Sequence, residues 1–296
     1  MTIETLEIGR RLRAYRMGVG LSVDEVADRL NLSRAAVYRF EKEGINKIET
    51  LERVARLMGV TVASLLGVSV EYNANAVAFF ERLRQIEETS DWLFVAFGPA
   101  YLLTGDAWDD ALQDCLLTEL GCAEETRRLL GVLKRRKEAF HRRKPSLTNV
   151  VTAADIEHLA RFGVAPEIGS AADDRRWRAA ALEELHRLAD MLERPPMHVQ
   201  IGVLFDRLPS TSFSLARAAK ARTLTISPFR LGARPSLRNG VSMITQAPDA
   251  LDLHENVARD LWRRAESGQR AARFVRDCIA TSSQPVSPLL HESRTF

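Results

Sequence analysis

The stretch LSVDEVADRLNLSRAAV, residues 21–37, contains two helix starts in quick succession. Ser22 is followed three positions later by Glu25, which is the spacing of a capping box, and Ser33 is a second N-cap candidate. Asn31 lies in the connection, where the chain must turn and where asparagine tolerates the left-handed conformation. The stretch therefore predicts two short helices joined by a tight turn.

The apolar residues of both predicted helices fall on faces that can pack against each other. Val26, Ala27 and Leu30 form one face of the first helix, and Val37 and Phe40 form the matching face of the second. The small side chain of Ala27 lets two crossing helices approach closely. Two short helices with inward faces at these spacings are typical of a helix-turn-helix.

Further helices are predicted on both sides of this motif. EIGRRLRAYRMGVGLS, residues 7–22, gives a helix that buries Ile8 and Leu12, and IETLERVARLMGVTVASLL, residues 48–66, gives two more. In order and spacing these segments resemble the lambda-repressor and Cro-like family of DNA-binding domains, the XRE family, over residues 6–67. The resemblance implies an all-α, five-helix domain that binds double-stranded DNA.

The resemblance also implies which residues contact DNA bases. In the family, the second helix of the motif lies in the major groove, and its first two residues and its sixth commonly reach base edges; here these are Arg34, Ala35 and Arg39. An arginine fork pairs with both acceptors of a guanine edge, whereas alanine offers only a methyl contact. Tyr38 faces the same side and is a candidate for a base or phosphate contact. The alternative is an ordinary solvated helix face.

Phosphate contacts are implied at the helix ends, where backbone amides favour anions. The matching positions are Ser33, the backbone amide of Val23 and the amide near Lys42. Lys47 is a further candidate, although its connection, KEGINKIE, is about one residue shorter than is usual in the family and lacks the common proline.

One structural pair is also implied by the resemblance. Arg16 in the first helix and Glu41 at the end of the second helix of the motif match a pair that forms a largely buried salt bridge in the family. We therefore expect them to set the angle between the helices rather than to contact DNA.

The length of the chain favours two domains. It has 296 residues, of which 46% are hydrophobic. We predict a DNA-binding domain at residues 1–67, a linker at 68–77, a second domain at 78–281 and a flexible tail at 282–296. The second domain alternates helical segments with strands, which indicates an α/β or α+β sheet covered on at least one face.

Composition and motifs disfavour several classes of protein. The net charge of +3 means that nucleic-acid contacts must come from a local patch. Cys115, Cys122 and Cys278 form no CxxC pair, so no metal site is expected. No apolar run approaches the roughly 20 residues of a membrane helix, which predicts a cytoplasmic protein with no membrane partner. GxGxxG, GxxxxGK[ST], GxSxG and HExxH motifs are absent, so we expect neither a cofactor nor an enzyme.

Ligand binding is the preferred role for the second domain, because loops at strand ends beside helix starts are common binding sites. Three loops qualify: FGPAYLLTGD (97–106), DRLPSTSFS (206–214) and SPFRLGARPSLRNG (227–240). The third loop would suit a small anionic molecule, and the alternative is that its arginines are solvated or paired with surface acids. Its candidate ligand-binding residues are Ser227, Arg230, Arg234, Arg238 and Asn239.

A dense basic run, KRRKEAFHRRK, spans residues 134–144 at a predicted helix end. Such runs usually form a solvated surface, and this one is also a candidate dimer surface. The alternative is a supplementary site for DNA or another anion.

The sequence as a whole is typical of a transcriptional regulator. We expect a homodimer that reads a palindromic operator, with the long amphipathic helices at 177–192 and 253–262 supplying dimer contacts. The second domain would sense a small-molecule effector. Two alternatives stay open: a DNA-tethered enzyme with an unrecognised active site, and an antitoxin-like repressor whose second domain binds a protein.

Overall fold

The computed structural model describes residues 5–67, 70–164, 171–206, 211–232, 236–238 and 240–282. Its first part is all-α. Three of its helices end at residues with left-handed backbone, namely Asn31, Gly59 and Gly67. Ile8 and Leu12 are buried in its core, as predicted. The helices are α1 (Thr5–Gly18), α2 (Val23–Leu30), α3 (Arg34–Glu43), α4 (Ile48–Met58) and α5 (Val62–Leu66).

The chain from residue 70 onward forms a mixed sheet with helices, so the predicted fold class, an all-α domain followed by an α/β domain, is confirmed. The strands are β1 (Val70–Asn73), β2 (Trp92–Ala96), β3 (Ser146–Thr152), β4 (Val199–Leu204), β5 (Ser212–Ala218), β6 (Ala221–Ser227) and β7 (Ser242–Thr245). The helices are α6 (Ala76–Thr89), α7 (Asp106–Leu120), α8 (Ala123–Arg143), α9 (Ala153–Phe162), α10 (Ala171–Glu193), α11 (Pro248–Arg264) and α12 (Gly268–Thr281).

The strand order in the sheet is β1-β7-β6-β5-β2-β3-β4. Strands β2, β3 and β4 are parallel, and β5 joins them antiparallel to β2. The carboxyl ends of β2 and β3 therefore lie at the same edge as the start of β5 and the end of β6. This arrangement brings segments that are distant in sequence to one end of the sheet.

Two apolar cores lie on opposite faces of the sheet. On one face, strand residues such as Leu147 and Val203 pack with α6–α10 and α12. On the other face, residues such as Phe94 and Leu215 pack with α11. Within the described ranges, no helix combines the length and the apolar character needed to cross a membrane.

The predicted linker at residues 68–77 is wrong in part, because it contains a strand. Val70–Asn73 pairs antiparallel with β7, and α6 begins at Ala76. The sequence hides this strand because its two inward residues, Glu71 and Asn73, are polar, each only 2% exposed. Residues 68 and 69, and the predicted tail beyond Ser282, lie outside the described residues.

The two helices expected to supply dimer contacts differ in what they expose. The apolar face of α10, including Trp177 and Leu185, is buried inside the chain and is not free for a partner. On α11, Leu253 and Val257 are 66% and 45% exposed. The prediction for α10 is therefore wrong, since its apolar residues fill the intramolecular core.

Candidate DNA-binding surface and strand-end cavity

The α2–turn–α3 segment is built by local hydrogen bonds that the sequence predicts. The Glu25 amide donates to Ser22 Oγ (3.1 Å), and the Ser22 amide donates to Glu25 Oε2 (2.8 Å), which completes the capping box. The Ala36 amide donates to Ser33 Oγ (3.1 Å). Asn31 has φ of 52°, so the turn is left-handed as expected.

Close packing fixes α3 against α1. A Cβ on Gly9 would lie 2.5 Å from the carbonyl oxygen of Phe40, so only glycine permits this helix contact. The predicted pair is confirmed: Arg16 Nε donates to Glu41 Oε1 (2.5 Å), and Arg16 Nη1 donates to the Leu21 carbonyl (2.8 Å). The Arg16 and Glu41 side chains are 13% and 7% exposed, so the pair is largely buried.

The outer face of α3 is open to solvent. Arg34, Ala35, Tyr38, Arg39 and Lys42 are all exposed. Arg34 Nε lies 2.5 Å from Asp24 Oδ1 of α2, and the Arg39 guanidinium lies over the Phe40 ring at 5.9 Å. The residues predicted to contact bases therefore share one accessible face.

The candidate phosphate contacts lie at the starts of three helices. Ser33 is exposed at the start of α3, and Lys47 is exposed at the start of α4. Val23 has a half-buried side chain, and its amide is the first of α2. The starts of these helices carry backbone amides that are available to an anion.

Helix α6 of the second domain also reaches this region. Tyr38 and Lys42 of α3 line a groove whose other side includes Arg84 and Glu88 of α6. The carboxyl-terminal half of α6 therefore lies beside α3.

A second candidate site is a cavity of about 410 Å³ at the carboxyl ends of β2 and β3. We call it the strand-end cavity. Parts of all three loops that the sequence singled out line it: 97–101, 212–214, and 227 with 229–232. Further lining comes from α6 (Phe79, Phe80 and Leu83), α8 (Arg136) and α9 (Ala154, Asp155 and His158).

Asn149 of β3 holds the loop that follows β2. Its Nδ2 donates to the carbonyls of Val95 and Gly98, both at 3.1 Å, and its Oδ1 accepts from the Ala100 amide at 3.0 Å. Phe97 and Gly98 have φ of 68° and 87°, so two successive residues are left-handed. A polar residue in the middle of the apolar strand LTNVVT was the available signal, and sequence reasoning missed it.

The floor of the strand-end cavity carries four hydroxyl groups. Ser212 pairs across the strands with Ser227, and Ser214 pairs with Thr225, so the four side chains share one face. Ser212 Oγ donates to the Ser227 carbonyl, and Ser227 Oγ accepts from the Phe229 amide, each at 3.0 Å. Among the described residues, the Ser214 and Thr225 hydroxyls have no hydrogen-bond partner, although Thr225 is only 4% exposed.

Arg136 forms part of one wall of the cavity. Its Nε and Nη2 donate to the two carboxylate oxygens of Glu87 at 2.8 and 2.7 Å. The guanidinium lies 5.4 Å from the Phe80 ring centre and 5.7 Å from that of Tyr101. The positive charge of Arg136 is therefore balanced inside the chain, although its buried Nη1 has no acceptor among the described residues.

The predicted ligand-binding residues do not all lie at one site in the structure. Ser227 and Arg230 line the strand-end cavity. Arg238 is not among the lining residues, because its guanidinium donates to the Leu120 carbonyl at the end of α7. Arg234 and Asn239 lie outside the described residues.

The basic run at residues 134–144 mainly makes intramolecular contacts. Arg136 and Lys137 are buried, and Lys137 Nζ donates to Asp109 Oδ1 at 2.6 Å. Arg142 and Arg143 each lie 3.5 Å from an acidic side chain of the same chain. These pairings favour a structural role for the run over a supplementary anion site.

A buried group of ionisable residues lies behind Tyr101. Besides the Lys137–Asp109 pair, Glu184 Oε2 accepts from the Gly105 amide at 2.9 Å. Burial raises the pKa of Glu184 from its ordinary value of 4.5 to about 7, although the hydrogen bond from Gly105 acts in the opposite direction. Glu184 is therefore a carboxyl group that titrates near neutral pH.

The face of α6 that turns away from the cavity packs directly on α1. Ala78 belongs to the core of the first domain, and a Cβ on Gly18 would lie 2.7 Å from the Cβ of Ala78. Gln85 Nε2 donates to the Arg10 carbonyl at 3.2 Å. A single helix thus separates the strand-end cavity from the DNA-binding domain.

A buried ion-pair network strengthens the same contact. Arg82 of α6 donates to Glu71 Oε1 (2.8 Å) and to Glu7 Oε2 (3.1 Å). Arg11 of α1 donates to Glu71 Oε2 at 2.9 Å. Arg82 and Glu71 are each 2% exposed, so the network joins α1, β1 and α6 in the interior.

Comparisons with known proteins agree with the geometry of the first domain. A family model described as a helix-turn-helix domain matches residues 7–67, and the match ends before β1 begins. No curated protein matches the chain. In residues 7–67, this chain therefore carries a helix-turn-helix DNA-binding domain of the XRE type.

Proposed function

We propose that the protein is a homodimeric transcriptional regulator whose affinity for DNA is controlled by a small molecule bound in the strand-end cavity. The helix-turn-helix domain makes it a DNA-binding protein. Control by a ligand and dimerisation are the parts that we propose. The second domain acts by binding and does not convert its ligand.

This proposal rests on the contacts of α6 with both the strand-end cavity and the DNA-binding domain. Phe79, Phe80 and Leu83 line the cavity, whereas Ala78 and Arg82 contact the DNA-binding domain. A ligand that binds one position of α6 better than another must change the position of α1 as well. Coupling of about 1–3 kcal/mol, or 5- to 150-fold in affinity, is typical of such linked sites.

Dimerisation is supported by the small number of base contacts that one α3 can make. Two copies related by a twofold axis can read a palindrome and so gain discrimination against competing DNA. The exposed Leu253 and Val257 on α11 give a candidate apolar contact. An isologous contact of this kind pairs the same patch on both subunits.

The regulatory part can be tested by filling the cavity. A preferred DNA site is first selected from random sequences with the full chain. Ala154 is exposed in the first turn of α9 and lines the cavity, so Ala154→Phe should occupy part of the space without disturbing the core. Glu157→Phe, on the exposed side of the same helix, is the matched control.

Fluorescence anisotropy with the selected DNA gives the outcome. We expect Ala154→Phe to change the affinity at least about 5-fold and Glu157→Phe to leave it unchanged. Equal affinities for the wild type and Ala154→Phe would contradict control through the cavity. A bound compound that is recovered chemically altered would favour the alternative of a DNA-tethered enzyme.

A further inference from the structure

The hydroxyl floor of the strand-end cavity lacks hydrogen-bond partners where a ligand would lie. Ser214 and Thr225 face each other across β5 and β6, line the cavity and form no hydrogen bond within the described residues. The Thr225 residue is only 4% exposed. Because both residues line the cavity, their hydroxyl groups are available for hydrogen bonds with a molecule bound there.

The wall opposite this floor is aromatic. Phe79 packs edge-on against Phe80 at 5.0 Å and lies 5.6 Å from Phe229. Tyr101 continues the wall beside Arg136. Rings of this kind favour a planar apolar body, and the volume of about 410 Å³ leaves room for a bicyclic molecule.

The charges around the cavity are balanced, which disfavours a charged ligand. The guanidinium of Arg136 is already paired with both oxygens of Glu87. Asp155 and Arg230 contribute opposite charges to the lining. An anionic ligand would meet the Asp155 carboxylate, and a cationic ligand would meet the Arg136 guanidinium, so either would lose hydration beside a group of like charge.

We propose that the strand-end cavity binds an uncharged, planar aromatic molecule of bicyclic size that hydrogen-bonds to the hydroxyls of Thr225 and Ser214. This ligand class replaces the anionic ligand that the arginine-rich loop suggests from sequence. It deepens the proposed function and rests on the same cavity.

Three compounds that share one ring system test the ligand class. Indole-3-acetamide, indole-3-acetate and tryptamine carry a neutral, an anionic and a cationic group on the same bicyclic body. Isothermal titration calorimetry with the full chain, without DNA, should give at least about 10-fold tighter binding for the amide than for the other two. Tightest binding by the acetate or by tryptamine would overturn the proposal, as would the absence of binding by all three at millimolar concentration.

Variants on one strand test the hydroxyl contact. Thr225→Val removes the hydroxyl at nearly constant shape and should weaken indole-3-acetamide binding roughly 5- to 10-fold. Thr225→Ser should retain wild-type binding. The control is Thr223→Val, because Thr223 is buried on the same face of β6 but does not line the cavity. Unchanged binding by a folded Thr225→Val, or equal losses at both positions, would overturn the assignment.

The two proposals fail separately, because the calorimetry contains no DNA. Indole-3-acetamide could bind through Thr225 while neither this compound nor Ala154→Phe changes the affinity for DNA. In that case the ligand class stands and the regulatory role fails. If Ala154→Phe changes DNA affinity but none of the three compounds binds, the regulatory role stands and the ligand class fails.

Discussion

Arg34 and Arg39 are the residues that we predict to recognise DNA bases most directly. Both are exposed on the outer face of α3, and the one ion pair that Arg34 forms among the described residues is with the similarly exposed Asp24. Such a surface pair is weak, so DNA can replace Asp24 as the partner of Arg34 at little cost. The two guanidinium groups are thus available for bidentate contacts with guanine.

Replacing Arg34 or Arg39 with alanine should cost about 1–3 kcal/mol of binding free energy on the selected DNA and relax the preference at one base pair. Binding to random DNA should change less, because phosphate contacts remain. Anisotropy titrations on both DNAs measure the difference, and Arg56→Ala, an exposed arginine on α4, is the control. Equal losses on both DNAs would mean that the arginines contact only phosphates.

The Arg16–Glu41 pair should be worth more to stability than a surface pair. Arg16→Ala strands a carboxylate that is 7% exposed, so we expect the free energy of unfolding to fall by about 3–5 kcal/mol. Urea denaturation of the single variants and of the double variant measures the coupling. An Arg16→Ala protein as stable as the wild type would rule out this role.

Glu184 should make stability depend on pH. Its pKa is about 7 in the folded protein, above its ordinary value of 4.5, so the folded state holds the proton more tightly than the unfolded chain. This stabilisation is complete below about pH 4.5 and is lost as the pH rises through 7. Glu184→Gln should therefore be more stable than the wild type at pH 8, by about 1–3 kcal/mol.

Urea denaturation at pH 5 and pH 8 measures this effect. The neighbouring Glu183 is exposed, so Glu183→Gln should leave the pH dependence as it is in the wild type. A pH profile that Glu184→Gln does not flatten would show that another group controls it.

Helix α6 contacts three different parts of the molecule. One face lines the strand-end cavity, another carries Arg82 into the buried network with Glu71 and Glu7, and its end lies beside Tyr38. Helix α8 also reaches both sites, but α6 packs far more extensively on the first domain. Helix α6 is therefore the element through which we expect the two sites to influence each other.

Arg82→Met should loosen the contact between α1 and α6. Loss of the buried guanidinium leaves Glu71 and Glu7 with fewer partners, so we expect a loss of about 3–5 kcal/mol in the free energy of unfolding and faster hydrogen exchange in α1. Arg142→Met removes an arginine that is 67% exposed and should have little effect. Unchanged exchange in α1 after Arg82→Met would contradict the role given to this network.

At the scale of the whole molecule, the proposed dimer depends on α11. Leu253→Asp combined with Val257→Asp places two charges on the exposed apolar face and should convert a dimer to a monomer in analytical ultracentrifugation. Met197→Asp, at a fully exposed position elsewhere, is the control. A wild-type chain that sediments as a monomer would refute the dimer itself.

The sequence by itself determined those features that depend on neighbours along the chain. The caps at Ser22 and Ser33, the turn at Asn31 and the apolar periods of the helices are local patterns, and they led to the helix-turn-helix and to an α/β second domain. The Arg16–Glu41 pair followed from the family resemblance. The DNA-contact residues stay a prediction, although their shared exposed face agrees with it.

Only the tertiary structure decided what depends on partners that are distant in the chain. Glu71 is buried in β1 because it meets Arg11 and Arg82, and the hydroxyl floor exists because β5 and β6 place Ser214 opposite Thr225. Arg238 left the predicted ligand site because its guanidinium bonds to the end of α7. From the sequence alone, a polar residue is expected in a loop or at the surface. Whether it is buried depends on a partner that packing, rather than local sequence, brings to it.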